Sequence, residues 1–590
     1  MSNAKHILTI FRHFEVKLVL SLTKQSNLLL AGLVILSLSL ISTTGIAQSN
    51  APTDSTVLII NSGFKPFLTD AFKIKDNPSI NDTGKIIPKL NYSFLDKQIP
   101  VGFEIDPIKA AKIKGEPLTK LYRGYAKVGF GTNTTPLAEV YYTSKRSKNL
   151  SLGFFGKHLS STGIAKNNYS SFSDNHLSVF GKHFSKSFTT TGKIGYTRNA
   201  NHYYGLSEQG LINEGLDLAV VNKNTTEQKI DKFDVGFSLA RNFTDSSEFD
   251  YNVDVDFHNL KDRFAVSENH LELAGNLSKY HKQELYSLGI EVNYNKLVNP
   301  LSLDRNLVLG LNPTISTSTD KWQFKVGLGL YLNSFPDTKF HFYPKAEFKY
   351  NVVEDIIIPY VGIKGGLISN NLNSFYQENP FIDTENLVTA NTNQKYDIYG
   401  GIRGSLSSKV TFNTSFSQQK TEGLPLYIKD FGSLLENKFL LAYDTVNIST
   451  ITAELAYQKL EKIKILLGAK YFKYDPKNEL KAWHRPDLKV SLSGIYDLSD
   501  KIIVRADLFY FSKQYAKAFE TTTSNNIITT TEVAQELKGL FDANISFEYR
   551  YTKKLSAFIN FNNIGSVKYQ KFQDYPTQRF GVLGGLTYSF

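Results

Sequence analysis

The chain has 590 residues, with 67 Lys plus Arg against 55 Asp plus Glu, 13% aromatic residues and no cysteine. That length exceeds one ordinary globular core, and a mean hydropathy of -0.25 with a single long apolar run excludes a polytopic helical membrane protein, which needs repeated apolar stretches of about 20 residues. The missing thiols exclude a disulfide framework, thiolate metal sites and cysteine catalysis.

The first segment reads as an address. Lys5, Arg12, Lys17 and Lys24 precede an apolar stretch from Leu28 to Ile41, and Gly45-Ile46-Ala47 supplies small residues at a cleavage position. Residues 1–47 are expected to be a signal peptide, with an uncleaved helical anchor as the competing reading. Removing those four cations and one acid, Glu15, lowers the formal charge from +12 to +9. On an exported chain this excess suits anionic lipid or solute and argues against a nucleic-acid partner. Residues 48–120 then hold seven of the 18 prolines, which predicts an extended, irregular segment, periplasmic or lumenal, rather than a packed domain.

From Leu121 onward the pattern changes to segments of about ten residues that alternate apolar and polar. In 248–258, Phe249, Tyr251, Val253, Val255 and Phe257 alternate with Glu248, Asp250, Asn252, Asp254, Asp256 and His258. Phe541 to Tyr551 repeats the pattern, and Trp322, Phe324, Val326, Leu328 and Leu330 alternate with Gln323, Lys325, Gly327 and Gly329. Long strands with one apolar and one polar face predict a transmembrane antiparallel β-barrel over 121–590, apolar side chains toward lipid and polar ones toward the interior. A soluble β-sandwich, the competing reading, needs strands of only about five or six residues.

Parity fixes the strand number, because a barrel with both ends on one side has an even count and all its long loops at the other end. Reading Lys438 to Asp444 as loop gives 22 strands, within a range of 20 to 24. The long connections are then 161–173, 199–228, 367–394, 420–448, 512–540 and 565–577, with tight turns such as Thr244-Asp245-Ser246-Ser247 and Thr552-Lys553 at the opposite end.

The chain ends Leu586-Thr587-Tyr588-Ser589-Phe590. This resembles the terminal strand by which the barrel assembly machinery captures outer-membrane proteins, with Tyr588 and Phe590 as the signal residues. Together with Phe558 to Ile564, Lys568-Tyr569, Tyr575-Pro576, Arg579-Phe580 and Gly585-Leu586, the terminus is similar to the closing strands of TonB-dependent receptors. That resemblance implies a 22-stranded barrel in the cell outer membrane and solute uptake, with TonB or another outer-membrane or periplasmic protein as partner. Asp54-Ser55-Thr56-Val57-Leu58-Ile59 faintly resembles the box that engages TonB, but such short patterns are common and a plain extended segment is the better reading. Two departures stand out: Arg579 and Phe580 are adjacent, and only the 73 residues 48–120 precede the barrel where the family carries a much longer plug. A barrel of this width needs a filling. The occupant is either residues 48–120, inward-folded outer loops, or another protein, in which case the chain is a structural or assembly subunit of a larger complex.

Candidates for chemistry are few. Asp250, Asp254 and Asp256 share a polar face and are expected either to line a wet lumen or to bind a cation or basic solute. Glu347 with Lys345, Arg505 with Asp507, and Glu548 with Arg550 predict mixed-charge lumenal walls. Phe155-Gly156-Lys157-His158 recurs as Phe180-Gly181-Lys182-His183, which brings His158 and His183 near each other if the two strand ends align. No catalytic constellation, metal-ligand spacing or cofactor loop is present, so the expectation is a non-enzymatic outer-membrane barrel for solute passage, without cofactor.

Overall fold

A computed structural model of the chain describes residues 122–590, apart from 146, 165–168, 207–220, 222, 243–247, 301, 354–355, 434, 461 and 525–526. The signal-peptide reading, the 48–120 segment, the Asp54 to Ile59 stretch and the turn Thr244 to Ser247 lie outside the described residues. Within them, 22 antiparallel strands form one ring, from Gly124–Gly131 to Gly581–Ser589, each paired to the next along the chain. The last closes on the first in a register running from Tyr125↔Ser589 to Gly131↔Leu583.

The alternation in sequence is the alternation of faces. Val255 lies between Phe237 and Leu273 on the neighbouring strands, and Phe257 between Val235 and Leu271. These belong to a belt of exposed apolar side chains around the outside, among them Val128, Val179, Ile194, Phe237, Ile451 and Leu466. Exposed apolar area on this scale is stable only against hydrocarbon. Tight connections gather at the end where the first strand begins and the last one ends. In one of them Ser499 and Asp500 both take positive φ, 57° and 58°, and Lys501 donates to Leu498 O at 3.2 Å. Two consecutive left-handed residues are what a two-residue hairpin demands to match strand twist.

All the long connections emerge at the opposite end, as parity requires. Two of them contain more strand than the sequence suggests. Lys438 to Asp444, read above as loop, is almost wholly strand: Val410–Lys429 and Phe439–Lys459 run as a hairpin far past the other strands, paired from Val410↔Tyr457 to Lys429↔Phe439 with one bulge after Thr421. The hairpin adds length and not number, so the count stays at 22. Within 512–540, Gln514–Ser524 and Ile527–Leu537 form a second sheet outside the ring.

Tyr588 and Phe590 lie at the seam. Phe590 accepts from Arg123 N at 3.0 Å and Gly124 N at 2.9 Å, and its ring covers Gly124, where an added Cβ would come within 2.1 Å of Phe590 Cε2. Tyr588 stacks on Phe590 with centroids 6.0 Å apart, and both remain about half exposed on the outer face. His158 and His183 are not neighbours. His158 sits opposite Asn175 and His183 opposite Leu150, eight residues apart along one strand, or about 27 Å at the usual rise. Consecutive antiparallel strands place equivalent ends at opposite ends of the barrel.

Candidate functional site

The largest packed core is not in the barrel wall but across its outer mouth. Tyr203, Leu260, Leu297, Leu372, Phe381, Phe439, Phe572 and Tyr575 form one buried cluster with their neighbours. They come from the ends of strands and from the described parts of the loops that follow Tyr203, Ile368, Lys429 and Asn562. On a ring of 22, the fifth strand, Phe188–His202, and the fifteenth, Val410–Lys429, stand almost diametrically opposed. Yet Asn437, just beyond the fifteenth, donates to Tyr203 O at 2.7 Å, just beyond the fifth. Contact between loops rooted ten strands apart can only run over the lumen.

The joint is made of rings and partnered polar groups. Phe381 stacks on Tyr575 at 3.7 Å, Tyr204 meets Tyr575 edge-on at 4.9 Å, and Phe439 packs on Phe572 at 5.5 Å. Such pairs add to the burial of their large apolar area. Tyr203 Oη donates to Ile382 O and Tyr204 Oη to Pro576 O, each at 3.0 Å, while Tyr575 Oη donates to Asn437 O. Burial raises the pKa of Tyr203 and Tyr575, which keeps both as donors. Lys429 pairs with Asp574 at 2.7 Å, and Lys438 with Asp383 at 3.1 Å and Glu385 at 2.9 Å. Burial alone would lower the Lys438 pKa, but those two carboxylates raise it.

A short helix, Leu372–Glu378, lies in this lid. Asn371 caps it, accepting from Ser374 N while the Ser374 hydroxyl accepts from Asn371 N. The first two helical amides donate to a residue of the wall instead: Leu372 N to Glu268 Oε2 at 2.6 Å and Asn373 N to Glu268 Oε1 at 3.1 Å. A carboxylate at a helix start satisfies orphan donors and the positive end of the dipole. His484 closes the other side. Its Nδ1 donates to Tyr427 O at 3.0 Å and its Nε2 accepts from Gln573 N at 3.2 Å, so the ring is neutral. Burial holds its pKa down to about 4.

Beneath the lid the walls differ. Asp250, Asp254 and Asp256 lie on the face opposite Val253, Val255 and Phe257, that is, inward. Glu347 also faces inward, where Lys349 Nζ pairs with it at 2.5 Å and Tyr399 Oη donates to it at 2.8 Å. Arg505 and Asp507 are not each other's partners. Arg505 reaches Glu548 at 3.3 Å, and Asp507 accepts from Ser493 at 2.6 Å. Among the described residues no cation lies within 4 Å of Asp250, Asp254 or Asp256.

Alternation assigned these residues to the polar faces of their strands but missed the lid. Its signal was present as aromatic residues inside otherwise polar loops, including Tyr203-Tyr204, Phe375-Tyr376, Phe381 and Phe572. Of the three occupants offered by the sequence, residues 48–120 lie outside the described residues, and the outer loops pack against one another at the mouth.

No protein-family model matches the chain, and no curated protein matches it by sequence. Solved structures do match by fold. The ferripyoverdine receptor of the Pseudomonas aeruginosa outer membrane shares 12% identity at a TM-score of 0.57, covering 80% of this chain and 72% of its own. A ferric-catecholate import receptor of E. coli K12 gives 10% and 0.57, with 80% and 82% covered. The FrpB iron transporter of Neisseria meningitidis gives 10% and 0.60 over the same shares. At such identities the likeness is one of fold, and the fold is the 22-stranded barrel of TonB-dependent receptors that the C-terminal strands resemble.

Proposed function

We propose that the chain is an outer-membrane receptor-like transporter, exported by its N-terminal segment, whose own loops gate solute entry. The observation that carries this is the bond network from Tyr203 across to Asn437, Tyr575 and Phe381, which spans the mouth. A passive pore has no use for a sealed entrance, whereas a receptor needs an entrance that ligand or partner opens. The solved relatives in fold are named as receptors or transporters of iron complexes, which supports uptake as the class of function. Residues 48–120 would face the periplasm or the lumen, and Asp54 to Ile59 would offer TonB a handle.

Planar-bilayer recordings test the reading. The full chain is expected to be silent, and a Phe381→Ala/Tyr575→Ala variant, alone or with residues 48–120 also removed, is expected to conduct. Silence of all three forms would sink it, and would favour a scaffold that holds other outer-membrane proteins through its loops. Recovery of stoichiometric partners under mild detergent would then be the decisive measurement.

A further inference from the structure

Three neighbouring strands, Asp250–Asp262, Ser267–His281 and Glu284–Val298, build a wall with an unusual chemistry. Their pairing sets inward side chains into rungs. The uppermost joins His258, His270 and Asn295; the next joins Asp256, Glu272 and Asn293; below come Asp254, Ala274 and Glu291, then Asn252, Asn276 and Gly289. Asp256 and Glu272 therefore stand directly across from each other, a pairing that like charges disfavour. No Lys or Arg among the described residues lies within 4 Å of Asp254, Asp256 or Glu272; the one basic group at that range is His270, 4.0 Å from Glu272. The nearest salt bridge on the flank, Lys193 with Asp234 at 3.8 Å, is already occupied. The fold makes room for this arrangement: a Cβ on Gly236, which faces Asp256, would come within 2.7 Å of its carboxylate.

A second observation is independent of the charges. The amide oxygens of Asn276, Asn293 and Asn295 and the Nδ1 of His270 are buried without a partner. Asn295 is 2% exposed and His270 5%. A buried acceptor without a donor costs about 1–3 kcal/mol, so a row of them beside carboxylates that no Lys or Arg pairs is a surface made to accept N–H groups. The acceptors are also strung out rather than convergent. Among the described residues no three His, Asp or Glu side chains are close enough to hold a metal ion. Successive rungs are about 6.8 Å apart along a strand, a spacing that suits amino groups separated by a few methylenes.

We infer that this wall is a binding track for a linear organic polycation of the polyamine class, with Asp254, Asp256 and Glu272 taking the ammonium charges and Asn293 and Asn295 accepting their remaining N–H groups. The inference names the cargo class of the transporter proposed above and rests on that reading.

The probe is spermidine. Calorimetric titration of the full-length Phe381→Ala/Tyr575→Ala protein in detergent should show binding that weakens with added salt and falls at least tenfold in Asp256→Asn/Glu272→Gln. Unchanged binding in that variant, or an equal loss in Asp507→Asn on the other wall, overturns the track as the site. Recordings of the same open protein separate the two readings. Conductance with a cation preference that the double variant abolishes supports both. Conductance that spermidine neither blocks nor follows overturns the cargo class alone. Spermidine binding without conductance in any form overturns transport alone.

Discussion

The lid and the wall beneath it solve the burial of polar groups in opposite ways. In the lid, Tyr203, Tyr204, Tyr575, Lys429, Lys438 and His484 each meet a partner from another segment, while Asn379 Nδ2 and Gln573 Oε1 are buried without one. On the wall of strands Asp250–Asp262 to Glu284–Val298, carboxylates face one another and amide oxygens face nothing. A largely satisfied network favours the closed state of the protein alone, because removing a paired member leaves its partner stranded. An unsatisfied one gains by taking something in. The contrast places a shutter above a binding surface, and substitutions should change stability with opposite sign in the two regions.

The largest expected effect lies in the lid. Phe381→Ala and Tyr575→Ala each delete a buried ring, worth about 3–5 kcal/mol for a truncation of that size. Hydrogen exchange of loops 369–391 and 563–580 should rise sharply while the barrel strands stay protected. Rigid loops in that variant would show that the mouth is closed by something other than this stack.

The next effect is on pH. An exposed histidine titrates near 6.5, and His484 in the closed lid near 4. The closed form therefore binds fewer protons than the open one. Its stability is full above about pH 6.5, falls as the pH drops toward 4 and levels off below, for a total on the order of 3 kcal/mol. Proteolysis within 477–487 and 563–580 should accelerate over that window in the native protein. In His484→Gln the pH dependence should vanish, and its persistence would assign the effect to other groups.

Glu268 joins the two regions, since it caps the lid helix and accepts from His258 Nε2 at 3.0 Å. Glu268→Ala should cost about 1–3 kcal/mol through two stranded amides, seen as faster exchange at Leu372 and Asn373. The smallest effect carries the opposite sign. Asp256→Asn/Glu272→Gln relieves a cross-strand repulsion worth about 0.2–1 kcal/mol and should raise the urea midpoint of the barrel slightly. A lowered midpoint would mean that the two carboxylates stabilise the wall, and the contrast would fail.

Much of the fold was legible because a barrel strand is a local object. Period-two alternation in Glu248 to His258 or Phe541 to Tyr551 reports which face meets lipid without knowledge of any neighbour, and parity converts a list of such strands into a closed ring. The same logic put Asp254, Glu347 and Arg505 on the polar faces of their strands. It could not say that Arg505 meets Glu548, that Glu347 pairs with Lys349, or that Asp256 faces Glu272, since register between strands decides those pairs. It also misjudged Lys438 to Asp444, where a hairpin continues past the wall and its apolar side chains serve the lid instead of lipid.

The sequence by itself thus determined the architecture: the barrel, its even strand number, its outward belt and the end at which the long loops gather. All of these follow from a repeat of two residues and from the cost of leaving backbone unpaired in hydrocarbon. Only the tertiary structure decided that loops meet across the mouth and that one wall sets carboxylates against each other. Both depend on residues such as Tyr203 and Asn437, or Asp256 and Glu272, that no local pattern relates and that meet only because the ring brings distant strands to fixed positions.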